Sequence, residues 1–476
     1  MDLRNLSVQQ LVDAIKNRQV TCVEVTQYYL SQIERWRHKN AVLEVFDDAI
    51  SRAEAMDKKI ETGKDLPPLI GVPILIKDNI MYKGHIASSA SKMLENYTAQ
   101  YSSTVVEKLL DAGVVILGRT NMDEFAMGGS CEKSAFGPCK NAYDDSRVSG
   151  GSSGGSAVAV ALDMCAFALG SDTGGSVRQP ASYNGVVGIK PTYARVSRYG
   201  LMAFASSLDT IGVFTRNVKD NAFVLSIIAG KDEKDATSSS VKVEDYSSCI
   251  SGNIEGKKIA VIKEVQALVE KTEYASIYRE VLSYCQKHGA IVTEVSLPEY
   301  EAVLSAYYTI VFAEGSSNMA RFDGVRFGKR EESDSQDKMY KLSRSKNLGR
   351  EVKRRIMMGS FVLSSAHYNS YYVKAKNIAK KLKGEISQIL NDNDVIFMPT
   401  TYGEAFAIGS KMNDPVSMYI EDIFTVTANI VGVPAISVPA GRGKTGLPIG
   451  LQILSKHFGE SELYNIADFV MERGRA

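Results

Sequence analysis

The pattern of hydrophobic and polar positions at the start of the chain indicates helices. Ser7 and Gln10 have the spacing of a capping box, in which two side chains satisfy free backbone N–H groups where a helix begins. The same spacing recurs at Thr21 and Glu24. We therefore predict an N-terminal helical segment over about residues 1–65.

Beyond this segment, short apolar and β-branched runs alternate with helical patterns. Predicted strands cover 69–76, 114–117, 166–169, 258–262, 291–295, 395–398 and 435–438, and predicted helices cover 103–112, 157–162 and 278–288. Alternation at this interval is typical of an α/β protein with a mixed or parallel sheet. The predicted fold is a mixed central β-sheet with helices on both of its faces.

The length of the chain limits its domain organisation. A chain of 476 residues is too long for one simple core, so we expect one large domain or a core with an added lobe. A polar, charged stretch near 230–255 is a soft internal boundary. We predict a single domain over 1–476 with this boundary inside it.

Charge and composition exclude several classes of partner. The 56 basic and 55 acidic residues leave a net charge of +1, so no overall field attracts nucleic acid or a membrane, and RNA contacts are expected to be local or made by a partner. Six cysteines without a C-x-x-C pair favour reduced thiols. With no apolar signal core and no membrane-spanning run, we expect a soluble cytoplasmic protein.

A glycine- and serine-rich run over 149–156, with a second step at 174–176, is the main candidate for chemistry. Glycine lets the backbone turn tightly and approach a ligand, and serine supplies hydroxyls. A phosphate loop of the Walker type needs a lysine after its glycines, whereas this run ends Gly155-Ser156-Ala157. The two loops therefore indicate a site built from hydroxyls and backbone N–H groups.

Residues 151–155 also match the nucleophile elbow G-x-S-x-G, with Ser153 as the nucleophile. That arrangement requires a histidine later in the chain. Of His288, His367 and His457, only His457 follows a late strand and could serve. The elbow stays open as one interpretation.

A lysine could replace histidine as the base. A serine hydroxyl is a weak nucleophile that needs a partner to take its proton. Lys77 closes the apolar run 69–76, and burial would lower its pKa by penalising the charged form. A lysine at the end of a strand is also a common surface residue, so a solvent-exposed Lys77 is the other interpretation.

Three motifs together resemble the amidase signature family: Lys77 after the strand, G-G-S-S-G-G-S at 150–156 and D-T-G-G-S at 172–176. The serine separation, 176 − 152 = 24, also suits that family. The resemblance implies a Ser-Ser-Lys triad with Lys77 as the base, Ser152 as the bridging serine and Ser176 as the nucleophile. It further implies a cis peptide bond before Ser152.

The resemblance also implies how the second loop works. Backbone N–H groups of Thr173, Gly174 and Gly175, with that of the nucleophile, would hold the oxyanion. Asp172 and Arg178 flank this loop and would brace it through an ion pair.

Further runs, at 120–128, 134–138, 190–193, 320–324 and 351–356, are similar to the glutamine-hydrolysing branch of this family. That branch supplies ammonia to partner subunits, B and C, which convert Glu-tRNA(Gln) or Asp-tRNA(Asn) to the amidated form. ATP and Mg²⁺ would be used by the partner, and no cofactor is expected in this chain. The assembly would be a heterotrimer.

Recognition of free glutamine requires groups for both charges of the amino acid. A carboxylate fits the guanidinium fork of an arginine, and an ammonium fits a carboxylate. The resemblance implies Arg355 for the α-carboxylate and Asp422 for the α-ammonium, although Arg354 lies one residue away. The charge run 350–355 would otherwise be read as a solvated face.

Aromatic and glycine residues would complete the pocket. Tyr307 would form a wall, with Tyr308 as the alternative. Residues Met127, Gly128 and Gly129 would line the other side, where Gly129 stands in place of a serine that the family typically has.

Two rival functions and one unassigned segment remain. The chain could be a stand-alone amidase acting on other amides, or a catalytically silent scaffold. The charged stretch 329–346 could be an exposed loop or a docking face, and its mixed sign argues against strong RNA binding.

Overall fold

The computed structural model describes residues 1–63, 65–272 and 274–473. The strands in these ranges are β1 (Val42–Val45), β2 (Pro73–Lys77), β3 (Val115–Thr120), β4 (Phe167–Asp172), β5 (Val187–Lys190), β6 (Thr210–Thr215), β7 (Lys258–Ile262), β8 (Ile291–Val295), β9 (Val395–Pro399), β10 (Ala435–Arg442) and β11 (Pro448–Ser455). They form one mixed sheet in the order β1-β3-β2-β4-β6-β5-β10-β11-β9-β7-β8. The predicted α/β class with a mixed central sheet is confirmed.

Helices connect the strands and cover the sheet. They are α1 (Val8–Lys16), α2 (Cys22–Arg35), α3 (Ala49–Thr62), α4 (Thr104–Asp111), α5 (Gly154–Ala161), α6 (Arg178–Tyr183), α7 (Val218–Ile228), α8 (Lys263–Val269), α9 (Ala275–Lys287), α10 (Tyr300–Met319), α11 (Gln336–Asn347), α12 (Arg350–Leu363), α13 (Lys374–Asp392), α14 (Pro415–Ile420), α15 (Val426–Val431) and α16 (Glu460–Arg473). Both capping boxes form, at the starts of α1 and α2. Across the described ranges, no helix combines the length and the apolar character needed to cross a membrane.

The N-terminal segment departs from the prediction in one respect, because it contains a strand. Strand β1 pairs antiparallel with β3 and closes one edge of the sheet. A strand of four residues has too few positions to show an alternating pattern, and it exists because the edge of β3 is available for pairing. The segment 1–65 is therefore not helical throughout.

The strand predicted over 69–76 begins only at Pro73, because the chain turns before it. Gly71 has a positive φ of 72°, and a Cβ there would lie 2.3 Å from the Cys22 sulfur. Only glycine fits this turn.

The charged stretch 329–346 is largely helical, since it contains most of α11. An exposed ion pair at helical spacing joins Lys341 to Asp337 within α11, and another joins Lys338 to Asp334 just before the helix. The mixed charges that the sequence shows thus support a solvated helix.

The topology gathers the candidate site at the carboxyl ends of three neighbouring strands. Strand β2 runs parallel to both β3 and β4, so the carboxyl ends of all three lie together. Lys77 pairs with Thr120 at the end of β2, and Asp172 ends β4. The lysine and the second glycine loop, far apart in sequence, therefore leave the sheet side by side.

Candidate active site

Lys77 is the centre of the site. Its side chain is completely buried, with Nζ 2.7 Å from Oγ of Ser152 and 2.9 Å from Oγ of Ser171. Burial lowers the pKa of Lys77 to about 7, although the negative charge of Asp123 opposes this effect. A large fraction of the amine is therefore neutral at neutral pH.

The surroundings of this amine suit the neutral form. A neutral amine has two N–H bonds and one lone pair. Both oxygens of Ser171 accept from Nζ, the hydroxyl at 2.9 Å and the carbonyl at 3.3 Å, and the amide of Asn79 holds the same hydroxyl at 3.0 Å. The lone pair is then left for the O–H of Ser152.

The first glycine loop presents Ser152 to this amine. The peptide bond Gly151–Ser152 is cis, as the resemblance implied. A Cβ on Gly151 would lie 2.1 Å from Oδ2 of Asp123, so only glycine fits. The N–H of Ser153 donates to the Ser176 carbonyl at 3.1 Å, which ties the two loops together.

The geometry does not support Ser153 as the nucleophile of an elbow. Ser153 is buried, its Oγ donates to the Ser171 carbonyl at 3.1 Å, and none of its hydrogen bonds involves a histidine. Ser176 is 7% exposed, whereas Ser152 is fully enclosed. Of these three serines, only Ser176 reaches a position where a substrate could meet it.

The second loop is braced as predicted. Arg178 donates to both oxygens of Asp172, at 3.1 and 2.9 Å, and both side chains are buried. Burial opposes ionisation, but the guanidinium and the amide of Asn429 hold the pKa of Asp172 well below its usual value. The carboxylate is therefore a fixed negative charge under the loop.

Because of this brace, one of the candidate oxyanion donors is already engaged in a hydrogen bond and the others are not. The N–H of Gly175 donates to Asp172 at 2.8 Å, so it is already engaged. The N–H groups of Thr173, Gly174 and Ser176 make no hydrogen bond to any residue that the structure describes. These three groups are the open donors of the loop.

Neighbouring side chains leave no room for a Cβ at Gly174 or Gly175 in this loop. A Cβ on Gly174 would lie 2.0 Å from the Tyr307 hydroxyl, and one on Gly175 would lie 2.3 Å from Oγ1 of Thr425. Gly175 also has φ of +124°, which disfavours other residues. Tyr307 therefore lies directly against the second glycine loop.

Arg355 lies on α12 in an aromatic box and is only 4% exposed. Its guanidinium carbon is 5.5, 5.7 and 5.6 Å from the ring centres of Phe204, Tyr308 and Tyr419. Nε donates to Glu351 at 2.9 Å, whereas the two terminal nitrogens have no hydrogen bond within the described part of the chain. A buried cation thus keeps its fork available for an anionic group.

The neighbouring arginine is arranged differently. Arg354 donates from one terminal nitrogen to Glu351 at 2.7 Å and is considerably more exposed. It also lines an outer cleft of about 480 Å³. Between the two arginines, the geometry favours Arg355 as the carboxylate ligand.

Asp422 faces the same box. Tyr308 donates to its Oδ2 at 2.5 Å, while Oδ1 makes no hydrogen bond to the described residues. Burial raises the pKa of Asp422 to about 7, and the bond from Tyr308 and the charge of Arg355 act against this rise. The two tyrosines have different contacts, since Tyr307 lies against the second glycine loop and Tyr308 donates to the carboxylate.

The segment 127–129 comes close to Asp422 at Gly129. Met127 is buried, a Cβ on Gly128 would lie 2.3 Å from the carboxyl carbon of Asp123, and a Cβ on Gly129 would lie 3.6 Å from Oδ1 of Asp422. A serine at Gly129 would thus approach the carboxylate, so the glycine leaves more room at this point.

Sequence reasoning missed Ser171 and Gln179. Ser171 has a weak signal, because it is the polar residue that follows the run Phe167–Gly170 in β4 and directly precedes D-T-G-G-S. Gln179 donates to the Gly129 carbonyl at 2.7 Å and accepts from the Gly151 N–H at 2.8 Å. This bridge joins segments that only the fold brings together.

Buried lysine and serine hydroxyls on two glycine loops define an amide-hydrolysing type of site, and the comparisons agree. A profile of the family described as Amidase matches residues 24–464, and the chain belongs to this family. Proteins named as the A subunit of glutamyl-tRNA(Gln) amidotransferase are similar along their whole length. The one from Thermoanaerobacter pseudethanolicus is 49% identical over 471 residues, covering 98% of this chain and 96% of that protein. The one from Prosthecochloris aestuarii is 46% identical over 472 residues, covering 98% and 99%.

Solved structures agree on the fold. The A subunit of glutamyl-tRNA(Gln) amidotransferase from Thermotoga maritima has a TM-score of 0.79 at 38% identity, over 98% of this chain and 94% of that one. A peptide amidase from Stenotrophomonas maltophilia has a TM-score of 0.86 at 28% identity, over 99% and 98%.

Proposed function

We propose that this chain is the glutaminase subunit of a tRNA-dependent amidotransferase. It hydrolyses glutamine and supplies ammonia to a partner that converts Glu-tRNA(Gln), Asp-tRNA(Asn) or both to the amidated form. The observation that carries the proposal is the buried guanidinium of Arg355, whose two terminal nitrogens make no hydrogen bond to the described residues, beside Tyr308, which also donates to Asp422. These two charges match the two charges of a free α-amino acid. The names of the relatives support the same conclusion.

The first chemical step is a proton relay. Neutral Lys77 takes the proton of Ser152, which in turn takes the proton of Ser176, and the Ser176 oxygen attacks the side-chain amide carbon of glutamine. The 2.7 Å contact between Lys77 and Ser152 supports the first transfer. The hydroxyl of Ser176 makes no hydrogen bond among the described residues, so the second transfer requires a side-chain rotation.

The oxyanion of the tetrahedral intermediate would be held by open backbone N–H groups. Those of Thr173, Gly174 and Ser176 are available, and each such donor contributes about 3 kcal/mol in related chemistry. Gly175 would contribute by allowing the turn of the loop and not as a donor to the oxyanion, because its own N–H already donates to Asp172. Collapse of the tetrahedral intermediate breaks the carbon–nitrogen bond, and the leaving nitrogen takes the relayed proton and departs as ammonia. Water then hydrolyses the acyl-enzyme, which releases glutamate and restores the Ser176 hydroxyl.

Glutamine recognition follows from charge. The terminal nitrogens of Arg355 would donate to the α-carboxylate, and Oδ1 of Asp422 would accept from the α-ammonium. Binding the ammonium favours the ionised form of Asp422 and so opposes the raised pKa of that carboxyl group.

The partners are part of the proposal. We infer a heterotrimer with subunits B and C in the cytoplasm, where the partner binds ATP, Mg²⁺ and most of the misacylated tRNA. The small net charge of +1 supports a minor role for this chain in RNA binding.

The test compares the chain alone with the chain assembled with its partner subunits. Glutamine hydrolysis should rise when partners, ATP and Glu-tRNA are present, and free peptide amides should be poor substrates. Arg355→Lys should weaken glutamine hydrolysis, with Arg354→Lys as the matched control. A chain that ignores its partners and turns over simple or peptide amides well is the stand-alone amidase instead.

A further inference from the structure

A buried carboxylate outside the triad organises the loop that precedes β6. Asp209 is 3% exposed, and its oxygens accept three hydrogen bonds. The donors are the Phe204 N–H at 2.9 Å, the Ala205 N–H at 3.2 Å and the Thr173 hydroxyl at 2.7 Å. The two N–H groups fold residues 204–209 around the carboxylate.

The third donor belongs to the oxyanion loop. Thr173 directly follows the braced Asp172, and its own N–H is one of the open donors. The hydroxyl bond to Asp209 holds Thr173 itself, whereas the Asp172–Arg178 pair braces the residue before it. The direction of that N–H therefore depends on Asp209.

The first donor belongs to the wall of the amino-acid pocket. The ring of Phe204 lies 5.5 Å from the Arg355 guanidinium carbon, and it packs so closely on α10 that a Cβ on Gly315 would lie 2.8 Å from it. The Phe204 carbonyl accepts from the amide of Asn318 at 3.0 Å. The backbone of Phe204 is thus held at its N–H by Asp209 and at its carbonyl by α10.

We propose that Asp209 is a positioning residue that aligns the oxyanion loop through Thr173 and the aromatic wall of Arg355 through Phe204. One side chain thereby sets the distance between the place where the amide reacts and the place where the amino acid is held. The second half of this role rests on the proposed glutaminase function. Burial raises the pKa of Asp209 to about 6, against the hydrogen bonds from Thr173 and Phe204, so the carboxylate that accepts these bonds predominates at neutral pH.

The experiment separates the two contacts of Asp209, which are the oxyanion arm through Thr173 and the pocket arm through Phe204. Thr173→Val removes only the hydroxyl, Thr173→Ser retains it, and Asp209→Asn removes one acceptor of the three-donor cluster. Asp220→Asn is the matched control, because Asp220 is 4% exposed and accepts from the Val8 N–H at 2.9 Å away from these loops. Each variant is assayed as full chain with its partners, for glutamine kcat and KM and for Ser176 acylation by p-nitrophenyl acetate.

Thr173→Val should lower both kcat and the acylation rate about 10-fold, with KM changed less than about 2-fold, because a misplaced donor affects the transition state. Thr173→Ser should restore both rates. Asp209→Asn should lower kcat and also raise KM, since both arms are loosened.

Equal rates for Thr173→Val and the wild type, or failure of Thr173→Ser to restore them, would overturn the proposal. So would an Asp209→Asn protein that is less stable but has unchanged kcat and KM. The acylation assay needs no glutamine. If the wild type is acylated at Ser176 but does not hydrolyse glutamine, the proposed function fails while the Thr173 comparison still decides the oxyanion arm.

Discussion

Two buried lysines in this protein have similarly lowered pKa values but different neighbours. Lys77 ends β2 and Lys190 ends β5, and both side chains are buried. Burial lowers the pKa of each to about 7, with the positive charge of Arg178 adding to the effect at Lys190. By proton affinity alone, the two amines are equivalent.

Their neighbours are not equivalent. Nζ of Lys77 lies within hydrogen-bond distance of two serine hydroxyls, at Ser152 and Ser171. Nζ of Lys190 donates to the Pro191 carbonyl at 3.0 Å, which has no proton to give. A depressed pKa prepares a lysine to act as a base, but the groups it touches decide whether there is a proton to take.

The largest expected effect comes from removing each amine. Lys77→Met should lower kcat for glutamine about 10³-fold, since general-base catalysis contributes at that scale. Lys190→Met keeps the volume and loses no reacting group, so kcat should stay within about 3-fold of wild type. Steady-state ammonia release measures both. Comparable losses in the two folded variants would mean that burial, and not hydroxyl contact, defines the catalytic lysine.

The next comparison is between the two hydroxyls at Lys77. Ser152→Ala should lower kcat about 10³-fold because it interrupts the relay, whereas Ser171→Ala should lower it only about 10-fold because it loosens the amine. The same ammonia assay applies, with Ser156→Ala as a control for removing a buried hydroxyl nearby, in the first turn of α5. If Ser171→Ala were the more damaging change, the roles assigned to these serines would be reversed.

A smaller effect is expected at the substrate fork. Arg355→Lys should raise the KM for glutamine 10- to 100-fold, in line with about 1.5–3 kcal/mol for a charged hydrogen bond, with a lesser effect on kcat. Arg354→Lys should leave KM within about 2-fold, since its fork already pairs with Glu351. Initial rates over a range of glutamine concentrations distinguish the two. Equal shifts in KM would move the carboxylate site out of the aromatic box.

The smallest effect is in stability, where the two lysines should behave alike. Between pH 7 and 9 an unfolded lysine holds a proton that the folded one has lost, so the free energy of unfolding rises with pH by about 1 kcal/mol per lysine for each unit. Denaturant unfolding at pH 7.5 and 8.5 should show this slope reduced in both Lys77→Met and Lys190→Met. A slope unchanged in either variant would mean that its lysine is charged when folded.

The pH profile of activity should depend on Lys77 and not on Lys190. In wild type, kcat/KM should rise as pH increases through about 7, as Lys77 loses its proton, and Lys190→Met should keep that rise. A profile that shifts in Lys190→Met would show that the two amines are coupled.

Much of the catalytic site could be predicted because its motifs are local. Glycines that permit a tight loop and serines that carry hydroxyls are contiguous at 149–156 and 174–176, so their spacing is visible in the chain. The ion pair of Asp172 with Arg178 was equally accessible, since the two residues lie six positions apart. Lys77 could be proposed because the apolar run before it predicted burial.

Other contributions could not be predicted, because they depend on distant segments. Tyr308 reaches Asp422 across 114 positions, and Gln179 joins the two sides of the pocket. The edge strand β1 exists only through pairing with β3. Such contacts leave no periodic or spaced pattern in the sequence.

The sequence by itself determined the α/β class and the two glycine loops with their serines, because each depends on residue types at short range. Only the tertiary structure decided which lysine touches hydroxyls, which arginine keeps its fork free and which N–H groups remain open on the oxyanion loop. These outcomes depend on distances between segments, which parallel strands and packed helices set when they bring carboxyl ends and side chains together.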